Sequence, residues 1–178
     1  MDRREYQAAA MRTAPNIGKV EMRLNAMMGL VGESGEVVDC LKKWRFQSGE
    51  NYPLPVDTLV KEIGDVYWYC ALMAQACGFS LGDVPVWDVR EPDTVKDPKD
   101  YLCDIALQIA ANCSDMQEYK HGKDVMRNLE TIMTMCGDIL AMAGSDESRA
   151  MERNVTKLKL RYPEGFDPMR SLHRTEQE

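Results

Sequence analysis

The sequence predicts an all-α protein, and three observations point to that class. Apolar residues recur every three or four positions over most of the chain, as they do on the faces of helices. No segment of any length shows the alternation that is typical of a β-strand, and glycine or proline separates the periodic segments. With 178 residues, of which 44% are hydrophobic and 29% charged, the chain suits one globular domain with a genuine core.

The first two helices are expected over residues 3–13 and 19–47. The first has an alanine-rich face and ends near Pro15. The second carries two apolar stripes, so it is expected to contact neighbours on more than one side. The stripes consist of Leu24, Met28, Val31 and Val38, and of Leu30, Val37, Leu41 and Trp44.

Glycine occupies three positions of the second helix, at Gly29, Gly32 and Gly35. In a helix interior each glycine costs about 1 kcal/mol relative to alanine. We expect this cost to be offset by a close approach, either of another helix backbone or of a ligand.

The third helix is expected over residues 56–77, after a turn-rich connection at 48–55. Asp57 or Thr58 can cap its N-terminus, and Gly78 ends it. Its apolar stripe consists of Ile63, Val66, Cys70, Ala74 and Cys77.

Three more helices are expected, over residues 99–119, 123–143 and 147–161. A proline-rich segment at 84–99 precedes them and is expected to be extended. The tail after Asp167 is polar and is expected to be mobile. We therefore predict one domain over residues 1–167 and a polar tail over 168–178.

Charge and cysteine usage exclude several classes of protein. The net charge of −7 argues against a nucleic-acid partner or an anionic membrane surface. No apolar run approaches the roughly 20 residues of a membrane span, and the charged N-terminus does not resemble a signal peptide, so we expect a cytoplasmic protein. The six cysteines form no C-x-x-C pair, which makes zinc improbable and favours free thiols.

Two acidic pairs, Glu33/Glu36 and Glu62/Asp65, are the strongest functional signal. Residues three apart share one helix face, so each pair directs two carboxylates to one point. Both pairs lie in apolar segments, where uncompensated carboxylates would have raised pKa values. Converging pairs would form an all-oxygen site suited to Mg²⁺ or Mn²⁺, whereas a solvated or salt-bridged helix face is the alternative.

Cationic and amide side chains recur on the last helix, and cations follow the first acidic pair. Asn154, Lys157 and Arg161 share one face of the last helix and could bind phosphate oxygens, although an exposed helix face is the more common explanation. Lys43 lies in the basic last turn of the second helix, where such residues usually interact with the helix dipole.

Three segments resemble the motifs of MazG-like nucleoside triphosphate pyrophosphohydrolases. They are GLVGESGEVVDCLKK at Gly29–Lys43, KEIGDVYWY at Lys61–Tyr69 and NVTKLKLRYPEGF at Asn154–Phe166. The opening Glu5–Ala8 is similar to the first helix of that family. The resemblance covers residues 1–83 and 147–167, and three motifs in order are more specific than any one of them.

The resemblance implies a MazG-like four-helix core and hydrolysis between the α and β phosphates of a nucleoside triphosphate. It implies that Glu33, Glu36, Glu62 and Asp65 hold Mg²⁺ and that Glu36 also orients or deprotonates the attacking water. The implied substrate-binding residues are Lys43, Tyr69, Asn154, Lys157 and Arg161. Trp44 or Trp68 could stack on the base, although core packing is the more common role of tryptophan. Neutralising Glu62 or Asp65 is expected to abolish turnover and to stabilise the metal-free protein.

Residues 84–146 depart from the family pattern, because about two additional helices precede the last core helix. These helices could cover the nucleotide, extend a subunit interface or decorate the domain. A homodimer or tetramer is expected from the family and from the several apolar faces of the helices.

Three other functions stay open. A ferritin-like di-iron oxidase would need two Glu-x-x-His motifs, and the chain has one, Glu118–His121, with His173 in the tail. A non-catalytic nucleotide sensor would keep the same site. A phosphoribosyl-ATP pyrophosphohydrolase-like activity would use the same fold on another substrate.

Overall fold

The computed structural model describes residues 1–49, 52–87, 94–116 and 122–172, and within these ranges the chain is helical without any strand. The all-α class is therefore confirmed. One 3₁₀ turn spans Leu81–Asp83. The α-helices are α1 Arg3–Met11, α2 Lys19–Phe46, α3 Val56–Cys77, α4 Pro98–Asp115, α5 Gly122–Met142, α6 Glu147–Arg161 and α7 Pro168–Leu172.

Local chemistry explains several helix ends. Asp2 and Glu5 form a capping box, in which the Asp2 side chain accepts from the Glu5 backbone N–H and the Glu5 side chain accepts from that of Asp2. The carboxylate of Asp146 caps α6 by accepting from the backbone N–H of Arg149. Gly78 ends α3 in the left-handed conformation at φ 82°, which glycine adopts without steric cost.

Helix α3 lies at the centre of the domain and packs against α1, α2, α5 and α6. Its predicted apolar stripe is buried except for Cys77, and Ile63, Val66 and Cys70 are fully enclosed. The two inserted helices, α4 and α5, pack against each other, with α4 covering α2 and α5 covering α3. The insertion therefore extends the core around α2 and α3.

Two features add detail to the expectations. The tail begins with the short helix α7, which Asp167 caps by accepting from the backbone N–H groups of Met169 and Arg170, and the expected mobility of the tail stays a prediction. One of the two apolar stripes of α2 is largely exposed in the single chain: Leu24, Met28 and Val31 are 48%, 68% and 44% exposed, and only Val38 packs partly against the core. The members of the second stripe are buried.

Some expectations fall on residues outside the described ranges. They include Glu118–His121, His173, the centre of the 84–99 segment and the last six residues of the tail. None of the helices within the described ranges combines the length and the hydropathy that a bilayer span requires.

Candidate active site

Three carboxylates converge where α2 packs against α3. Glu33, Glu62 and Asp65 each offer one oxygen, and these oxygens lie within 4.8 Å of one another. Glu62 is 8% exposed, so the group lies largely inside the bundle. Three carboxylate oxygens at this spacing fit a hard divalent cation such as Mg²⁺ or Mn²⁺.

The two carboxylates from α3 are both paired with cations. The Lys61 ammonium lies 2.8 Å from Glu62 Oε1, and the Lys157 ammonium contacts Asp65. The Asn154 amide also donates to Asp65 Oδ1 at 2.7 Å. The predicted residues Asn154 and Lys157 thus reach the acidic cluster directly.

Glu33 is the member of the cluster without a cation in direct contact, although Lys157 and Lys61 act on it from a distance. Within the described ranges, no side chain donates a hydrogen bond or forms an ion pair with its carboxylate. Burial, followed by the charges of Asp65 and Glu62, raises the pKa of Glu33 to about 7. A cation between the three carboxylates would relieve this repulsion.

A cavity of about 180 Å³ opens on one side of the cluster, beside Glu33 and Asp65. Its wall includes the predicted residues Tyr69, Lys157 and Arg161. Aromatic rings form much of the remaining wall, contributed by Trp68, Tyr162 and Phe166. Cations and aromatic rings thus meet at the acidic cluster. No described residue of the inserted segment 84–146 lines this cavity.

A more open groove of about 740 Å³ lies on the other side of the cluster, beside Glu62. Glu36 and Lys43 line this groove, and both are exposed. Lys43 pairs with Asp39 at 2.6 Å. The structure thus brings Glu33 together with the α3 pair but leaves Glu36 outside that group of three. The roles of Glu36 and Lys43 stay predictions.

Two glycines explain how the wall of the site is built. A Cβ at Gly29 would lie 2.0 Å from the Tyr69 ring, so glycine makes room for that ring. A Cβ at Gly64 would lie 3.0 Å from the Ala150 carbonyl oxygen, which shows how closely α6 approaches α3. A Cβ added at Gly32 or Gly35 would meet no described atom within 4 Å, apart from adjacent residues and the backbone of α2 itself. The expected close approach therefore occurs at Gly29, where the neighbour is a side chain.

The two candidate stacking tryptophans have different positions. The Trp44 indole N–H donates to the Tyr52 carbonyl at 3.1 Å, and the side chain is 9% exposed, as in core packing. The Trp68 indole N–H donates to Thr13 Oγ1 at 3.1 Å, and its ring meets Tyr69 edge-on with centroids 4.8 Å apart. Trp68 is therefore the tryptophan of the cavity.

Sequence reasoning missed three residues of the site. Lys61 precedes Glu62 in the chain and forms an ion pair with it. Asn25 lines the cavity and lies on the same face of α2 as Gly29 and Glu33. The four-residue spacing of positions 25, 29 and 33 was an available signal for Asn25. Tyr6 on α1 donates to Asn154 on α6. No residue spacing within α1 could have indicated a contact between these two helices.

Comparisons with known proteins identify the family of this chain. The family model described as the MazG nucleotide pyrophosphohydrolase domain matches residues 22–86, a range that contains both acidic pairs. The Gene 37 protein of Mycobacterium phage L5 is 36% identical over 98 residues, which cover 52% of this chain and 86% of that relative. None of the solved structures gives a significant match. The chain belongs to the MazG nucleotide pyrophosphohydrolase family.

Proposed function

We propose that the chain is a Mg²⁺-dependent nucleoside triphosphate pyrophosphohydrolase, which converts a (d)NTP and water to the (d)NMP and pyrophosphate. The observation that carries the proposal is the convergence of Glu33, Glu62 and Asp65 beside a cavity lined by cations and aromatic rings. An anionic ligand needs both features, because carboxylates alone would repel it.

Glu33, Glu62 and Asp65 would hold the Mg²⁺, or Mn²⁺ in its place. When bound, the ion supplies Lewis-acid stabilisation of phosphate oxygens and acidifies water. Lys61 and Lys157 keep the net charge of the cluster low before the ion binds. They therefore limit the repulsion that an incoming polyphosphate meets.

Lys157 and Arg161 would bind phosphate oxygens, because both line the cavity next to Asp65. Asn154, which the sequence predicted to bind substrate, would instead orient Asp65, because its amide donates to Asp65 Oδ1 and it is not among the described residues that line the cavity. Lys43 would bind phosphate from the groove side. Tyr69 and Trp68 form an edge-to-face pair whose rings are nearly perpendicular, and the base or the sugar could rest against one of these rings.

Glu36 would orient or deprotonate the attacking water. It lies one turn from Glu33 and shares the groove with Glu62, but it is not part of the cluster of three. A carboxylate that is not consumed in ligation is available to accept a proton.

The test is a panel of NTPs and dNTPs with Mg²⁺, with chromatography to separate monophosphate from diphosphate products. Monophosphate and pyrophosphate in equal amounts, lost on adding EDTA, are the expected result. Binding without turnover across the panel would favour the sensor. Preferential turnover of phosphoribosyl-ATP would favour the alternative substrate, and release of diphosphate with inorganic phosphate would contradict the proposed bond cleavage.

We also propose that the chain forms a homodimer through the exposed stripe of α2. Val20, Leu24, Met28 and Val31 lie on one side of α2 and are 77%, 48%, 68% and 44% exposed. In a two-fold dimer the same surface patch of both copies meets, so one apolar stripe supplies both sides of the contact. Leu24→Glu should give a monomer in analytical ultracentrifugation, whereas Leu160→Glu, at a residue 79% exposed on α6, should not change the mass. A monomeric wild-type chain would contradict the proposal.

A further inference from the structure

A line of hydrogen bonds joins α1 to the acidic cluster through the interior of the bundle. The Tyr6 hydroxyl donates to Asn154 Oδ1 at 2.9 Å, and the Asn154 amide donates to Asp65 Oδ1 at 2.7 Å. Tyr6 is fully buried and Asn154 is 3% exposed. We propose that Tyr6 is a positioning residue, which fixes the Asp65 carboxylate through Asn154. The inference rests on the proposed function, because it assigns Asp65 to the metal site.

The two ends of the Asn154 amide have different partners, and Tyr6 supplies the donor for its oxygen. An amide has one oxygen that accepts and one NH₂ group that donates. When the oxygen accepts from Tyr6, the NH₂ group faces Asp65 and stabilises the carboxylate. The flipped amide would direct its oxygen at the carboxylate, which only accepts hydrogen bonds, so Asp65 itself disfavours that orientation. In the observed orientation the amide oxygen needs a donor that Asp65 cannot supply, and the Tyr6 hydroxyl supplies it and so holds the Asn154 side chain in place.

The backbone around Asp65 belongs to the same arrangement. The Tyr6 hydroxyl also lies 3.2 Å from the Gly64 carbonyl oxygen, next to Asp65 in the chain. A Cβ at Gly64 would lie 3.1 Å from the Asn154 Cβ, so glycine lets α6 approach closely enough for Asn154 to reach Asp65. The three helices α1, α3 and α6 thus meet at this point.

A second buried tyrosine provides an internal comparison. Tyr67 is fully buried on α3, two residues after Asp65, yet its hydroxyl has no hydrogen-bond partner within the described ranges. Tyr67 contributes its ring to the core, and the hydroxyl adds nothing to the site. Tyr6 differs because its hydroxyl has two partners, both at the cluster.

Groups that orient a metal ligand usually change metal affinity or activity by 10–100-fold when they are removed. Tyr6→Phe keeps the ring and removes the hydroxyl, so we expect Mn²⁺ affinity to fall about tenfold. We expect kcat at saturating metal to fall by a similar factor while KM for the nucleotide changes little, since Tyr6 does not line the cavity.

The experiment compares Tyr6→Phe with Tyr67→Phe in the full chain, by Mn²⁺ titration in electron paramagnetic resonance and by steady-state kinetics. Tyr67→Phe should match the wild-type chain in Mn²⁺ affinity and kcat. Equal behaviour of the two variants would overturn the inference. A wild-type chain that binds Mn²⁺ without releasing pyrophosphate would contradict the proposed reaction, while the Mn²⁺ titration of Tyr6→Phe would still decide the role of Tyr6. A wild-type chain that binds no Mn²⁺ would overturn both.

A double-mutant cycle separates positioning from loss of folding. Asn154→Leu removes the donor to Asp65, so we expect a loss of Mn²⁺ affinity at least as large as that of Tyr6→Phe. Combining the two substitutions should cost no more than Asn154→Leu alone, because Tyr6 acts through Asn154. Additive losses, with thermal melting showing folded protein, would contradict the proposal.

Discussion

The two acidic pairs have the same spacing but different surroundings. On α3, Glu62 and Asp65 both join the cluster, and each contacts a lysine. On α2, Glu33 joins the cluster without such a partner within the described ranges, and Glu36 stays in the exposed groove. One pair is therefore built as a neutralised half-site, and the other is divided between two environments.

The difference follows from how two helices meet. Residues three apart on one helix are separated by about 4.5 Å along its axis. A contact with a neighbouring helix can therefore enclose one member of a pair and leave the other at its edge. The same motif can thus supply a ligand and a proton acceptor. The sequence spacing alone makes Glu33 and Glu36 look equivalent.

The largest expected effect is at the neutralised half-site. Asp65→Asn should lower kcat/KM by at least about 10³-fold, a loss of about 4 kcal/mol of transition-state stabilisation. The reason is that Asp65 contacts Lys157 and Asn154 and shares the cluster with Glu33 and Glu62. Pyrophosphate release under steady-state conditions measures the effect.

Asp57→Asn is the matched control on the same helix. The Asp57 side chain is 78% exposed and pairs with Arg149 and Arg153 at the surface. Exposed ion pairs contribute roughly 0–1 kcal/mol, so activity should stay within about twofold. Equal losses in both variants would point to damaged folding, and full activity of Asp65→Asn would contradict the candidate site.

The next effect sharpens the division within α2. Glu36→Gln should lower kcat about 100-fold, the size typical of lost acid–base catalysis, with Mn²⁺ affinity little changed. Glu33→Gln should instead weaken Mn²⁺ binding more than tenfold, because it removes one oxygen of the cluster. Calorimetric Mn²⁺ titrations and kinetics on both variants measure the split. Equal losses of Mn²⁺ affinity in Glu36→Gln and Glu33→Gln would make Glu36 a metal ligand, as the sequence predicts.

The sequence could predict the elements whose signal is local. The periodicity of apolar residues predicted α2 and α3 to within about two residues, and Gly78 marked the end of α3. The acidic pairs were visible because both members lie on one helix. Contacts between helices were not visible, since they depend on packing. The lysine partner of Asp65, the edge position of Glu36 and the Tyr6–Asn154 contact all belong to that kind.

A third effect is the pH dependence of Mn²⁺ binding, which we expect to come from Glu33 of the α2 pair. The pKa of Glu33 is raised to about 7, first by burial and then by the charges of Asp65 and Glu62. Below that pH the metal must displace a proton, so the dissociation constant for Mn²⁺ should rise about tenfold per pH unit. Above pH 8 the dissociation constant should not change with pH.

Mn²⁺ titrations from pH 5.5 to 8.5 measure this pH dependence. In Glu33→Gln the dissociation constant should no longer change between pH 5.5 and 7. A slope that survives in Glu33→Gln would assign the proton to another group.

The smallest effect concerns the stability of the metal-free protein. From like-charge repulsion alone, neutralising Glu62 or Asp65 was expected to stabilise the fold. From the structure we expect the stabilisation on neutralising Glu33 instead, because Glu62 and Asp65 would each lose a lysine partner on neutralisation. In the unfolded chain Glu33 titrates near its ordinary value of 4.5, whereas in the folded chain it titrates at about 7. Folding therefore takes up a proton between these values, and the free energy of unfolding falls as the pH rises through this window.

Glu33→Gln removes this loss, so its Tm should equal that of the wild-type chain at pH 4.5 and exceed it at pH 8. We expect a gain of about 2–4 °C, the shift that about 1 kcal/mol produces in a chain of this size, once the charge is discounted for partial exposure to water. Thermal melting in EDTA measures the difference. Glu62→Gln provides the comparison, and its Tm should not rise at either pH. A gain in Glu62→Gln with none in Glu33→Gln would reverse the assignment, because the uncompensated charge would then lie on α3.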